Sequence, residues 1–147
     1  MPIARIRGPG HPDALCDRIA IALIEAYVRR DPQARACISV SAGRESVFVD
    51  GDLLSSADFD TAPTVRKALA EAHPLLAPEP SITCESVSPD VWPEAASADH
   101  CVVIGYATAE TADGLPPARS AARAYVRALE AFRTEQEEGY ALAPDYE

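Results

Sequence analysis

From Leu15 onward, apolar residues recur at helical spacing: Leu15, Ile19, Leu23 and Ala26 share one row, with Ile24 and Tyr27 beside it. This pattern predicts a helix over residues 12–30, ended by Asp31-Pro32 because the residue before a proline is driven out of the helical region. Upstream, residues 3–7 alternate apolar and basic side chains and read as a short first strand. Downstream, residues 36–41 and 45–53 read as a hairpin turned by Ser41-Ala42-Gly43-Arg44, with Val47 and Val49 alternating with Phe48. Asp60 reads as the N-cap of a second helix, with Pro63 in its first turn and His73-Pro74 closing it. A proline-rich connector at 74–80 leads to a strand at 81–87 and a loop at 88–98. The uninterrupted apolar run at 101–107 reads as a central strand. A last helix from about 116 to 137 presents Ala118, Ala121, Ala122, Tyr125, Val126, Leu129 and Phe132 as its buried face.

The order β-α-β-β-α-β-β-α predicts an α+β fold: a mixed or antiparallel β-sheet with helices packed on one face. At 147 residues the chain reads as a single domain, 1–147, able to bury roughly two-thirds of its unfolded surface. No internal repeat interrupts it.

Charge narrows the partners. A net charge of −10 repels phosphate backbones and acidic lipid, which argues against nucleic acid and membrane as partners. No apolar run reaches membrane-spanning length, and the N-terminus lacks the apolar core of a signal peptide. Cys16, Cys37, Cys84 and Cys101 form no C-x-x-C pair and sit among apolar neighbours, as buried thiols do in a reducing, cytoplasmic setting.

The stretch most suited to chemistry is Gly8-Pro9-Gly10-His11-Pro12-Asp13-Ala14-Leu15-Cys16-Asp17. Pro9 and Pro12 fix φ on either side of the histidine, and the two glycines relax the sterics around it. The loop feeds a helix start, whose free N–H groups and positive dipole end suit an anionic ligand. With Asp31-Pro32-Gln33-Ala34-Arg35, Gly51-Asp52-Leu53-Leu54-Ser55-Ser56, Ser88-Pro89-Asp90 and Gly105-Tyr106-Ala107-Thr108-Ala109-Glu110-Thr111, it forms an ordered set. That set resembles the amino-terminal domain of the S-adenosylmethionine synthetase (methionine adenosyltransferase) family, diverged and truncated, since the family builds its subunit from three similar domains.

The resemblance implies roles. His11 matches a histidine that contacts the triphosphate and assists the displacement, and Asp13 matches an aspartate that holds magnesium; Mg²⁺ is thus the implied cofactor, and a hard carboxylate suits it. Asp52 stands for a glutamate that meets the methionine amine. Asp99 matches the aspartate of Gly-Asp-Gln-Gly, and His100 replaces its glutamine. Gly105 opens the glycine-tyrosine motif, and Asp145 matches an aspartate near the adenosine. His11, Asp99 and His100 are therefore the candidate catalytic residues, Asp52, Gly105 and Asp145 the candidate substrate-binding residues, and Asp13 the candidate metal ligand.

The departures are equally informative. Ala14 and Glu147 stand where the family has lysines, Ser39 replaces a cation-binding glutamate, and Val87 replaces a glutamine near the substrate. Only eight residues separate Asp90 from Asp99, which shortens the family's lid loop. A single lysine, Lys67, accompanies twelve arginines, so the family's lysine-lined triphosphate site is not repeated. Three readings follow. The first is an enzyme that kept the pocket and turned it to acid–base chemistry, of lyase, cyclase or hydrolase type, on a small polar or adenosyl-like substrate. The second is a subunit of a split adenosyltransferase, binding ATP and methionine with a partner chain that supplies the missing domains. The third is a non-catalytic ligand-binding protein. A sheet covered on one face also implies a homodimer, because the family stacks its sheets. The row Arg119, Arg123, Arg127 is read as a solvated face paired with Glu130 and its neighbours, or as an anion-binding stripe.

Overall fold

The computed structural model describes residues 3–43, 45–73, 78–88, 90, 102–135 and 143–144. Three helices and a three-stranded mixed sheet make an α+β fold. The chain divides into two compact units, residues 12–101 and residues 1–11 with 102–147.

In the unit of residues 12–101, the row Leu15, Ile19, Leu23 and Tyr27 is the buried face of helix α1, Pro12–Arg30. Tyr27 continues the row, while Ile24 stays partly exposed. Strand β1, Arg35–Ala42, pairs antiparallel with β2, Val47–Leu54. Helix α2, Ala62–Ala72, then carries the chain to β3, Pro80–Ser86, which pairs parallel with β2. Parallel neighbours require such a crossover, so the sheet order is β1-β2-β3. Thr61 takes the α2 cap position, and Asp60 serves from one residue further out, its Oδ1 accepting the Ala62 N–H at 3.0 Å.

Alternation along β2 decides which face is covered. Val47, Val49 and Leu53 point to the core with Leu15, Ile19 and Leu23 of α1 and Val65, Ala68, Leu69 and Ala72 of α2. Ile38, Val40, Ala42, Ile82 and Cys84 complete that face from the neighbouring strands. Each buried Leu, Ile or Val contributes about 1.5–3 kcal/mol. Both helices thus cover one face of the sheet. The positions between, including Ser39, Ser41, Phe48, Asp50, Asp52, Thr83 and Glu85, form an open and largely polar face.

The end of α1 is fastened to the loop after β2. Asp31 Oδ1 accepts the Gln33 N–H at 3.0 Å. Its Oδ2 accepts the Ser56 N–H at 2.7 Å and the hydroxyls of Ser55 and Ser56 at 3.0 Å each. Beside it, Tyr27 packs on Phe59 with ring centroids 4.7 Å apart, and the Arg30 guanidinium lies 3.9 Å from the Phe59 centroid. Hydrogen bonds from the Ser56 and Gln33 amides and the Ser55 hydroxyl hold the Asp31 carboxyl at about 2, below its ordinary 3.8. A depressed folded-state value means the clamp stabilises fully above the ordinary pKa and is lost as pH falls from about 4 to about 2. Asp31→Asn is therefore expected to lower the melting temperature at pH 7, and its difference from wild type should vanish by about pH 2. Thermal melts of both proteins across that range check this.

The unit containing residues 3–11 and 102–135 departs most from the sequence pattern. Residues 3–7 form no strand, and residues 102–107 form no strand either. Val102, Val103 and Ile104 are about 85 % exposed, so the run expected as a central strand lacks covering layers. Its composition suits burial on both faces, and among the described residues nothing supplies that. Helix α3, Pro117–Glu135, is amphipathic as expected but buries no residue fully. Ala118, Ala122, Val126 and Leu129 are half-buried, whereas Ala121, Tyr125 and Phe132 are exposed.

Candidate functional site

The histidine loop is a tight turn. The His11 N–H donates to the Gly8 carbonyl at 3.1 Å, and the Gly10 N–H donates to the Pro144 carbonyl at 2.9 Å. Gly8, Gly10 and Pro144 are buried, and His11 is half-buried. The positive-φ glycines among the described residues are Gly51 and Gly114, so Gly8 and Gly10 do not use the left-handed freedom of glycine. Sequence reasoning missed Pro144. No local pattern announces a contact across so long a stretch of chain, yet it ties the C-terminal segment to the histidine loop.

Helix α1 begins one residue later, at Pro12, where a missing N–H costs nothing and φ is already helical. Asp13 occupies its first turn, exposed, where the helix dipole favours a negative charge. One turn on, the Cys16 thiol meets the backbone of Ala42 at the hairpin end of the sheet, and burial pushes its pKa up. Asp52 lies elsewhere. It sits on the open sheet face, in register with Cys37 and Glu85, five residues along β2 from Val47, or about 16 Å of strand. Within this unit the two carboxylates are not brought together. No group of three His, Cys, Asp or Glu side chains among the described residues could hold a metal ion.

Around Asp52 the open face is acidic, with Asp50 two residues before it and Glu85 beside it. Such a surface suits the ammonium group of a small ligand. Ser39, standing where the resemblance expects a carboxylate, is opposite Asp50. Burial raises the Cys84 thiol, and none of Cys16, Cys37 and Cys84 is disulfide-bonded.

Gly105 lies in the extended exposed run, with no atom within 4 Å of where a side chain would start. The motif that follows folds into a knot. Thr108 N–H donates to the Gly114 carbonyl at 2.9 Å, and the Thr111 hydroxyl donates to the Leu115 carbonyl. Gly114 takes the left-handed φ of 71° that this turn needs. Asp113 accepts from the Ser120 hydroxyl at 3.0 Å and the Leu115 N–H at 3.3 Å. Burial pushes its carboxyl up, but hydrogen bonds from Thr111, Ser120 and Leu115 outweigh this and lower it. Asp99, His100 and Asp145 lie outside the described residues.

A three-stranded mixed sheet covered by helices on one face makes this an α+β protein. Residues 6–74 match the profile of the S-adenosylmethionine synthetase N-terminal domain. S-adenosylmethionine synthase 1 of Rhodospirillum rubrum is 30 % identical over 122 residues, covering 73 % of this chain and 32 % of that protein. The synthase of Finegoldia magna is 29 % identical over 161 residues, covering 92 % and 41 %. The structure of an unusual S-adenosylmethionine synthetase from Campylobacter jejuni superposes with a TM-score of 0.72 over 87 % of this chain and 36 % of that one; at 19 % identity the likeness is one of fold. The chain belongs to the S-adenosylmethionine synthetase family, as a diverged relative of its N-terminal domain. It spans between a third and two fifths of the length of these curated relatives.

Proposed function

We propose that this chain is a diverged synthetase-like enzyme in which His11 performs acid–base chemistry on a small polar or adenosyl-like substrate. The observation that carries this reading is the mounting of His11. Its backbone is closed onto Gly8, the adjoining Gly10 is tied to Pro144, and α1 starts immediately after it. Rigid mounting of an imidazole is what proton transfer at a fixed atom requires. Asp99 and His100 are the further candidates for proton transfer. Among the described residues no group of three metal-binding side chains forms, so Mg²⁺ at Asp13 would share its ligands with an anionic substrate, and no step here is routed through it. The test is turnover in His11→Asn.

The losses at Ala14 and Glu147 and the single lysine argue that the chain alone does not assemble a triphosphate site of the family kind. A second reading, a subunit completed by another chain, is favoured by the exposed apolar run at Val102, Val103 and Ile104.

A homodimer built on the open sheet face is part of the proposal. Phe48 is 56 % exposed there and offers the apolar contact, while Asp50, Asp52 and Glu85 require the two sheets to be offset so that like charges do not meet. Light scattering at micromolar concentration should give twice the chain mass of 15.6 kDa; a stable monomer would remove the dimer from the proposal.

A further inference from the structure

Arg119, Arg123 and Arg127 stand at i, i+4 and i+8 on α3, all exposed, each about 6 Å further along the axis than the last. Two electrostatic costs fall on this row. Like charges one turn apart repel, and Arg119 stands in the first turn of a helix that holds no acidic residue there. Pairing with Glu130 does not relieve it, because that carboxylate is held by Arg133 at 2.9 Å. Asp113, the carboxylate nearest the helix start, is engaged by Thr111, Ser120 and the Leu115 amide. Among the described residues, none of the three guanidiniums has an ion-pair partner. A chain of net charge −10 thus concentrates three positive charges on one helix face, with the single Asp113 carboxylate beside Arg123 and Arg127.

That face also has a recess. A cavity of about 270 Å³ lies between Arg123 and Arg127, with Ser120 and Asp113 on its wall and the small side chains of Ala112 and Ala124 leaving the space. Guanidinium forks bind tetrahedral oxyanions bidentately, and two forks one helical turn apart can bracket a single phosphoryl group. Arg119, one turn further, is in place for a second.

We propose that the Arg119–Arg123–Arg127 face of α3 is a binding site for a phosphate-bearing small molecule, its first phosphoryl group seated between Arg123 and Arg127. The site stands apart from the reading of His11. The test is calorimetric titration of the full chain with inorganic phosphate and with pyrophosphate at fixed ionic strength, with sulfate as comparison. Pyrophosphate should bind more tightly than phosphate, and Arg123→Gln or Arg127→Gln should weaken both by about tenfold or more, as expected for loss of a charged bidentate contact. Arg119→Gln should weaken pyrophosphate more than phosphate. Arg18→Gln, an equal charge change on α1, should leave binding unchanged. Three results would overturn the proposal: no binding above sulfate, equal weakening in Arg18→Gln, or unchanged affinity in the Arg123 and Arg127 variants. Tighter binding of a glutamate-rich peptide to the same arginines would also overturn it, by assigning the face to a protein partner.

Discussion

Gly51→Ala is expected to destroy the folded state. A Cβ at Gly51 would coincide with the Cys37 carbonyl oxygen of the neighbouring strand and lie 3.0 Å from the Ile38 Cα and 3.1 Å from the Cys37 carbonyl carbon. All three are backbone atoms, so no rotamer change relieves the clash; β1 must separate from β2 or shift its register. A one-residue slip would turn Val47, Val49 and Leu53 outward and their polar neighbours into the core. A loss on the order of 4 kcal/mol or more follows, against total domain stabilities of about 5–15 kcal/mol. Gly43→Ala is the control. Its nearest neighbours are the Ser46 Oγ at 3.8 Å and the Ser46 carbonyl at 3.9 Å, an ordinary contact distance, so a near-native melt is expected. Circular dichroism and urea titration of both variants distinguish the cases. A Gly51→Ala protein melting like wild type would contradict the Ile38–Gly51 register.

His11→Asn carries the second large effect, on function rather than fold. Asparagine keeps the backbone turn, since the bonds at Gly8, Gly10 and Pro144 are all main-chain, and its amide does not exchange a proton near neutral pH. Turnover of the native substrate should fall by roughly 10²–10⁴ with the melting temperature nearly unchanged. Asp13→Asn should match that loss only if the carboxylate orients His11 or meets a substrate-borne cation. The substrate is to be found first, by mass spectrometry of small molecules released from the purified protein. Full activity in His11→Asn would move the chain to the non-catalytic, ligand-binding reading.

How much of this the residues disclosed depends on the range of the interaction. The row Leu15, Ile19, Leu23 and the alternation Val47, Val49 were legible because a helix or strand writes its buried face at a fixed period. The motifs Asp31-Pro32-Gln33 and Gly51-Asp52-Leu53-Leu54-Ser55-Ser56 were legible as words of the family, but not their job. Only the fold shows that Asp31 fastens Ser55 and Ser56, and that Gly51 is small because Cys37 lies against it. Long-range contacts such as Gly10 with Pro144 leave no periodic trace. The run at 102–107 misled because an apolar pattern records what a segment is fit to bury, not whether this chain supplies the cover. The roles of Asp13 and Asp52 come from family resemblance, and the fold adds only that Asp13 opens α1 while Asp52 stands on the open face of β2.

Incubating the purified chain with ATP, methionine and Mg²⁺ and measuring S-adenosylmethionine tests most directly whether the pocket was kept and the family reaction lost. With alanine at position 14, glutamate at 147 and one lysine in the chain, expected is no product above a preparation-matched blank. Steady, enzyme-proportional formation of S-adenosylmethionine, with contaminating synthetase excluded, would contradict it.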